Sequence, residues 1–271
     1  MQVSEAVATR RSVRQFTDRP VDRATLERVL ETARNAPSGG NVQPWNAIVL
    51  TGEPLARLTE AILAKAASEP LGAGFEYDIY PTGLEGRYEA QRRAVGHAMF
   101  ESVGLGREDK AGRIAQMAQN WSSFGAPVQL FTYTRKYMGP PQWSDMGMWL
   151  QTVMLLLREE GLDSCPQEIW ARYGEFMKAQ LGIDDEHIFF CGMAIGFRDP
   201  AAPNRDRPPP RRGRTDPGQR HRRRGSGPGT TRCRRFRAES CRAPTVAVWC
   251  FVRGPQVREP RRRGPPGQAA A

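Results

Sequence analysis

Three short stretches of the chain carry residue types and spacings that could do chemistry. The first is "TRRSVRQF", residues 9–16, where Arg10, Arg11 and Arg14 accompany Ser12. Read as about one and a half helical turns, it puts Arg10 and Arg14 on one face as i,i+4 neighbours. Guanidinium forks suit bidentate phosphate binding, and a serine hydroxyl can complete the cradle. The second is "PSGGNVQPW", residues 37–45, in which Pro37, Ser38, Gly39, Gly40 and Asn41 precede Gln43, Pro44 and Trp45. Ser38 and Asn41 offer short polar groups, and the glycines let backbone approach a flat ligand closely. The third is "SCPQE", Ser164 to Glu168, where Pro166 fixes a loop just before an expected helix. Backbone N–H groups at such an entry point outward, toward a ligand's electron-rich edge. Each stretch also has a plainer reading: solvated basic surface, a helix stop followed by a turn, or a simple loop.

The elements that must position these stretches follow from apolar periodicity. Asp22 is the expected N-cap of a helix with Leu26, Val29, Leu30 and Ala33 on one face, stopping before Pro37. "WNAIVLTG" reads as a buried strand, followed by a helix from Pro54. Residues 86–103 and 107–120 are expected helices, and residues 126–134 a second strand. From Trp143 to Glu160 apolar residues recur at spacings of three and four, with Met148 and Leu155 apolar on the other side. A helix apolar nearly all round is buried on most faces, here as a central helix or one shared with a second subunit. A helix over about residues 168–181 and a third strand, "HIFFCGMAIGF", complete the set. Long helices between well-separated strands, with no βαβ phosphate fingerprint, argue an α+β sandwich rather than a doubly wound sheet.

Composition divides the chain near residue 200. Residues 1–200 hold 21 Lys+Arg and 25 Asp+Glu, whereas residues 201–271 hold 19 Arg, no Lys and 4 acids, which together give the net +11. The basic character therefore belongs to the tail, and about 200 residues is ample for one domain with its own core. Cys165, Cys191, Cys233, Cys241 and Cys250 form no CxxC pair, and with three scattered histidines no metal site is expected. The N-terminus lacks an apolar signal region, and no run approaches the ~20 apolar residues of a membrane helix, so a cytoplasmic protein is expected.

Taken together and in order, "RRSVRQF", "APSGGNVQPW", "PPQWSDMGMWLQTVMLLLREEGLDSCPQEIW" and "GMAIGFRDPAAP" resemble the flavin-dependent nitroreductase family. The resemblance spans about residues 4–204 and is nearest to the subgroup acting on nitroaromatics such as nitrobenzoates. It implies an α/β sandwich with a central antiparallel or mixed sheet, flanked by helices and carrying a long buried dimer-interface helix. It also implies an FMN-containing homodimer with two active sites between the subunits. Arg10, Arg11, Ser12 and Arg14 would hold the FMN phosphate, ribityl chain and ring edge. Pro37, Ser38, Gly39 and Asn41 would come from the partner and cover the flavin. Pro166, Gln167 and Glu168 would line the isoalloxazine, with a backbone N–H facing N5. Gln142 would reach flavin or substrate, or simply cap its helix. The implied reaction is hydride transfer from NAD(P)H through N5 to a nitroaromatic, quinone or similar acceptor, in ping-pong order. No side-chain nucleophile is needed, so His97, His187 and Cys165 read as structural.

The tail departs from the family. A phosphate-binding arginine is expected at Arg207, with Arg205 the alternative, and the family's closing strand is absent or replaced by "TVAVWCFV" after Pro244. Eleven prolines in 71 residues predict disorder, and all-arginine, Pro- and Gly-rich text is also what GC-rich DNA read out of frame would give. Losing the closing strand predicts weaker dimerisation and weaker FMN retention. Residues 70–90 read either as a mobile, aromatic-lined lid or as a surface loop with no role. Other flavin chemistries on the same fold, namely dehalogenation, ene reduction or flavin breakdown, are the first alternative. Nucleic-acid binding through the tail is the second.

Overall fold

A computed structural model of the chain describes residues 1–202. The expectations for residues 203–271, including Arg207, Arg205, the closing strand and the basic tail, lie outside the described residues.

The elements run α1 (Val3–Thr9), α2 (Arg23–Ala33), β1 (Asn46–Thr51), α3 (Gly52–Ser68), α4 (Gly86–Glu101), α5 (Lys110–Ala118), β2 (Val128–Arg135), α6 (Pro140–Glu159), β3 (Asp163–Gln167), α7 (Gly174–Leu181) and β4 (His187–Gly196). Four strands form one antiparallel sheet in the order β1-β2-β4-β3. On one face α2 and α6 pack Leu26, Val29 and Ala33 with Met146, Leu150 and Val153 against Leu130, Cys191 and Met193. On the other, Leu55, Leu58 and Ile62 of α3 join Trp170, Tyr173 and Met177 against Ile48, Phe131 and Phe189. This is the expected α+β sandwich.

Several expectations match in detail. Asp22 caps α2 by accepting from the Thr25 N–H at 2.9 Å, and that bond holds its carboxyl below the ordinary value. In α6, Met146, Trp149, Leu150, Val153, Met154 and Leu157 are buried, while Ser144, Gly147 and Met148 face outward. Three expectations are corrected. Residues 163–167 form an edge strand rather than a loop: β3 pairs with β4, placing Pro166 opposite Met193. Proline is tolerated there because an edge position asks for no donor on its outer side. The helix expected from Glu168 opens as a 3-10 turn (Glu168–Tyr173) and becomes α-helical only at Gly174. The third correction concerns residues 10–16, which leave α1 and run extended, with Arg10 at φ −56° and ψ 128°. Arg10 and Arg14 therefore do not share a helical face.

One irregularity breaks the period of β4. Thr132 faces Cys191 and Tyr133 faces Phe189, so Phe190 is the extra residue of a β-bulge. Phe189 consequently packs on one face of the sheet and Cys191 on the other.

The first half of residues 70–90 is bonded to the body of the domain at several points. Ala73 N–H donates to Arg172 O at 2.9 Å, and Glu175 N–H to Gly74 O at 3.2 Å. A side chain at Gly72 or Gly74, both at positive φ, would meet Arg172 or Glu175 at 2.8 Å, so only glycine allows this approach. The Glu76 carboxylate receives the Phe189 N–H at 2.7 Å and pairs with Lys178 at 2.8 Å, both side chains being buried. The Tyr77 hydroxyl donates to the carbonyl of the bulged Phe190. The segment is fastened to the body. Beyond it lie α4 and α5.

Candidate active site

The arginine-rich stretch is positioned by β3. Ser12 forms a parallel bridge with Ser164, and the Val13 N–H donates to Ser164 O at 3.1 Å. Because the two run parallel, the chain after Ser12 travels in the direction of Pro166, Gln167 and Glu168. Val13 and Phe16 anchor it through a small core with Phe124, Ala126, Cys165 and Ala194. With apolar residues turned inward, Arg11, Ser12 and Arg14 line a small cleft together with Gln15, Arg198 and Ala202. Arg10 sits beside it as the cap of α1.

The cleft is basic. Arg11 donates to the backbone carbonyls of Ala8 and Arg10, and Arg14 to that of Ser12. Among the described residues no carboxylate forms an ion pair with Arg11, Arg14 or Arg198. Guanidiniums lining one cleft with no carboxylate among them repel one another and favour an anion between them. Arg198 was not singled out in the sequence, although it stands directly before "DPAAP" at the end of the last strand. That position after β4 was the available signal.

The third stretch lies along the same edge. Gln167 is buried and donates to Asn120 O at 2.9 Å, while its Oε1 is buried with no partner among the described residues. Glu168 opens the 3-10 turn, whose first N–H groups have no intrahelical acceptor. Its carboxyl reaches solvent on one side, yet burial on the other raises it above the ordinary carboxylate value.

The second stretch is held elsewhere, around the start of α6. Ser38 Oγ accepts the Gln43 N–H at 2.9 Å, and the Gly39 N–H donates to the buried Asp145 carboxylate at 3.2 Å. Asn41 and Gln43 adopt positive φ, and the Gln43 amide donates to Asn41 Oδ1 at 3.2 Å. Trp45 is core: it is buried and stacks on Trp149 at 6.1 Å. The apex Pro37, Gly39, Gly40, Asn41 and Val42 is exposed, so the loop is rigid at its base and open at its tip. Gln142 belongs to the same corner, and its Oε1 accepts the Gly139 N–H at 3.2 Å, which is the helix-cap reading.

The sequence-assigned residues thus fall into two groups. Arg11, Ser12, Arg14, Pro166, Gln167 and Glu168 gather along β3, with Arg10 beside them; Pro37, Ser38, Gly39, Asn41 and Gln142 gather at the start of α6. His187 pairs with Asp184 at 2.5 Å, His97 contacts Arg107, and Cys165 is buried. Burial pushes the Cys191 thiol up to about 12.

Comparison with known proteins supplies the remaining constraint. Residues 7–197 match the model of the nitroreductase family. The chain is 36% identical over 193 residues to a 4-nitrobenzoate reductase of Pseudomonas putida, covering 71% of this chain and 84% of that protein. Among solved structures it resembles an FMN- and NADPH-dependent nitroreductase, NfnB, from Sphigopyxis sp. strain HMH. Identity is 55% and the TM-score 0.76, covering 79% of this chain and 96% of that one. The FMN-dependent NfnB from Mycobacterium smegmatis, solved with NADPH, is 27% identical, with a TM-score of 0.70 over 74% of this chain and 90% of that one.

Proposed function

The chain belongs to the nitroreductase family, and we propose that it is an FMN-dependent NAD(P)H oxidoreductase acting on nitroaromatic, quinone or similar acceptors by a ping-pong route. The observation that carries this reading is the Ser12–Ser164 bridge, which sets a cleft lined by arginines, with no ion-pair partner among the described residues, alongside β3, whose end carries Pro166, Gln167 and Glu168. The residues fit the cofactor: the cleft calls for an anion, and the buried Gln167 carbonyl oxygen calls for a donor. Arg11, Ser12 and Arg14 would hold the phosphate, with Arg10 beside them, and Gln167 and Glu168 would lie along the ring. FMN, when bound, supplies hydride transfer through its N5. The chain's part is to bind and orient, with guanidiniums that favour the more negative reduced state.

A homodimer is part of the proposal. Two surfaces support it: the outward face of α6, and α5, where Ile114, Ala115 and Met117 are exposed while Arg113 turns inward onto the Phe100 ring at 4.1 Å. That is the reverse of a helix packed for solvent, and a second copy would cover it. In the dimer, Pro37, Ser38, Gly39 and Asn41 would reach the partner's cofactor. No helix among the described residues is long and apolar enough to cross a membrane; a cytoplasmic location is part of the proposal.

The test is a visible spectrum of the purified full-length chain, then turnover with NADH or NADPH and a panel of nitro and quinone acceptors. A flavin band and acceptor-dependent oxidation of the reductant are expected, with a dimeric mass by light scattering. Absence of the band after FMN is added overturns the reading.

A further inference from the structure

Resting on that reading, we infer that Arg198 is a third guanidinium of the phosphate cradle, facing Arg11 and Arg14 across the cleft. Its backbone is fixed at this place by the segment it bridges. Phe16 pairs with Arg198, the Thr17 N–H donates to Phe197 O at 2.9 Å, and the Asp199 N–H to Gln15 O at 3.1 Å. The nearby carboxylates are engaged elsewhere. Asp199 receives the Gln15 amide at 2.9 Å and its own turn's Ala201 N–H at 2.8 Å. Asp163 pairs with Arg158 at 2.7 Å, and Arg198 stands near enough to draw its carboxyl down as well, without forming an ion pair. Three arginines line the cleft and no carboxylate does, a lining matched by a phosphate monoester, which carries close to two negative charges. The sequence places the phosphate arginine beyond residue 202; the fold supplies one before it, at the end of β4.

The source of the phosphate is the flavin, and this is testable without turnover. The full-length chain, stripped of flavin, is titrated with FMN and with riboflavin, which lacks the phosphate, by flavin fluorescence. The wild-type protein is expected to prefer FMN strongly. Arg198→Ala should weaken FMN binding about tenfold while leaving riboflavin binding unchanged, so that the preference narrows. Arg198→Lys should keep part of it. Inorganic phosphate should compete with FMN in the wild-type protein and less well against Arg198→Ala. Equal weakening of both flavins, or no change in the preference, overturns the role of Arg198 alone, and circular dichroism of the Ala and Lys variants confirms that each is folded. Failure of the wild-type protein to bind either flavin overturns the functional reading itself, and this inference with it.

Discussion

Glu76 and Glu89 are two carboxylates only a short stretch apart, and each is paired with basic residues, yet they do different work. Glu76 is buried, pairs with an equally buried Lys178 and accepts a strand N–H. Lys178 also reaches Glu175 at 3.1 Å, and these partners raise its ammonium above the ordinary value against the pull of burial. Glu89 lies on α4 and holds Arg92 and Arg93 at 2.7 and 2.5 Å; their bonds lower its carboxyl to about 2. Arg93 is 70% exposed, so water screens that pair. A charge pair fastens a segment only where both ends are out of water. The first pair ties residues 69–77 to α7 and β4, and the second joins residues of α4 to one another.

That contrast can be broken by mutation. The largest effect is expected from Glu76→Ala, which strands the Lys178 charge and the Phe189 N–H; a loss of about 3 kcal/mol should lower the melting temperature by roughly 10 °C. Glu89→Ala, measured in the same thermal melts, should leave it unchanged. Equal shifts would mean that residues 69–77 are held no more firmly by their charges than the surface of α4 is by its own. Tyr77→Phe keeps the ring against Trp143 and Phe190 but removes the hydroxyl that caps the bulged carbonyl, at an expected cost of about 1 kcal/mol in denaturant unfolding. The smallest effect concerns Glu168. Its carboxyl is raised in the fold, so the native state binds the proton more tightly than the unfolded chain does. Stability should therefore fall as pH rises above the ordinary value of 4.5. Glu168→Gln should flatten that part of the melting-temperature profile, with little difference from wild type below pH 4.

Much of this was legible in the sequence wherever one residue type answers a local demand. Asp22 before an amphipathic run gave the start of α2, and threefold and fourfold spacing gave α6. What escaped depends on partners remote in sequence. Pro166 looks like a loop residue until its strand is known to lie at a sheet edge. "TRRSVRQF" looks helical by charge spacing, but its Val13 and Phe16 are claimed by a core with Phe124 and Cys165. The Tyr- and Gly-rich segment after residue 69 reads as mobile because nothing local announces that Lys178 awaits Glu76. Arg198 was legible only as part of a motif, without a role.

The bulge in β4 has a genetic consequence. Phe189 and Phe190 are the same residue type, so loss of either codon yields one and the same protein. In that product a phenylalanine still faces Tyr133 and Cys191 still faces Thr132, and both halves of the strand keep their faces. Inside a regular strand such a deletion would turn every following side chain to the wrong side. Here the damage is confined to the carbonyl that Tyr77 caps and the ring beside Trp143. The strand carries a spare residue, and its reading tolerates a deletion at that one place.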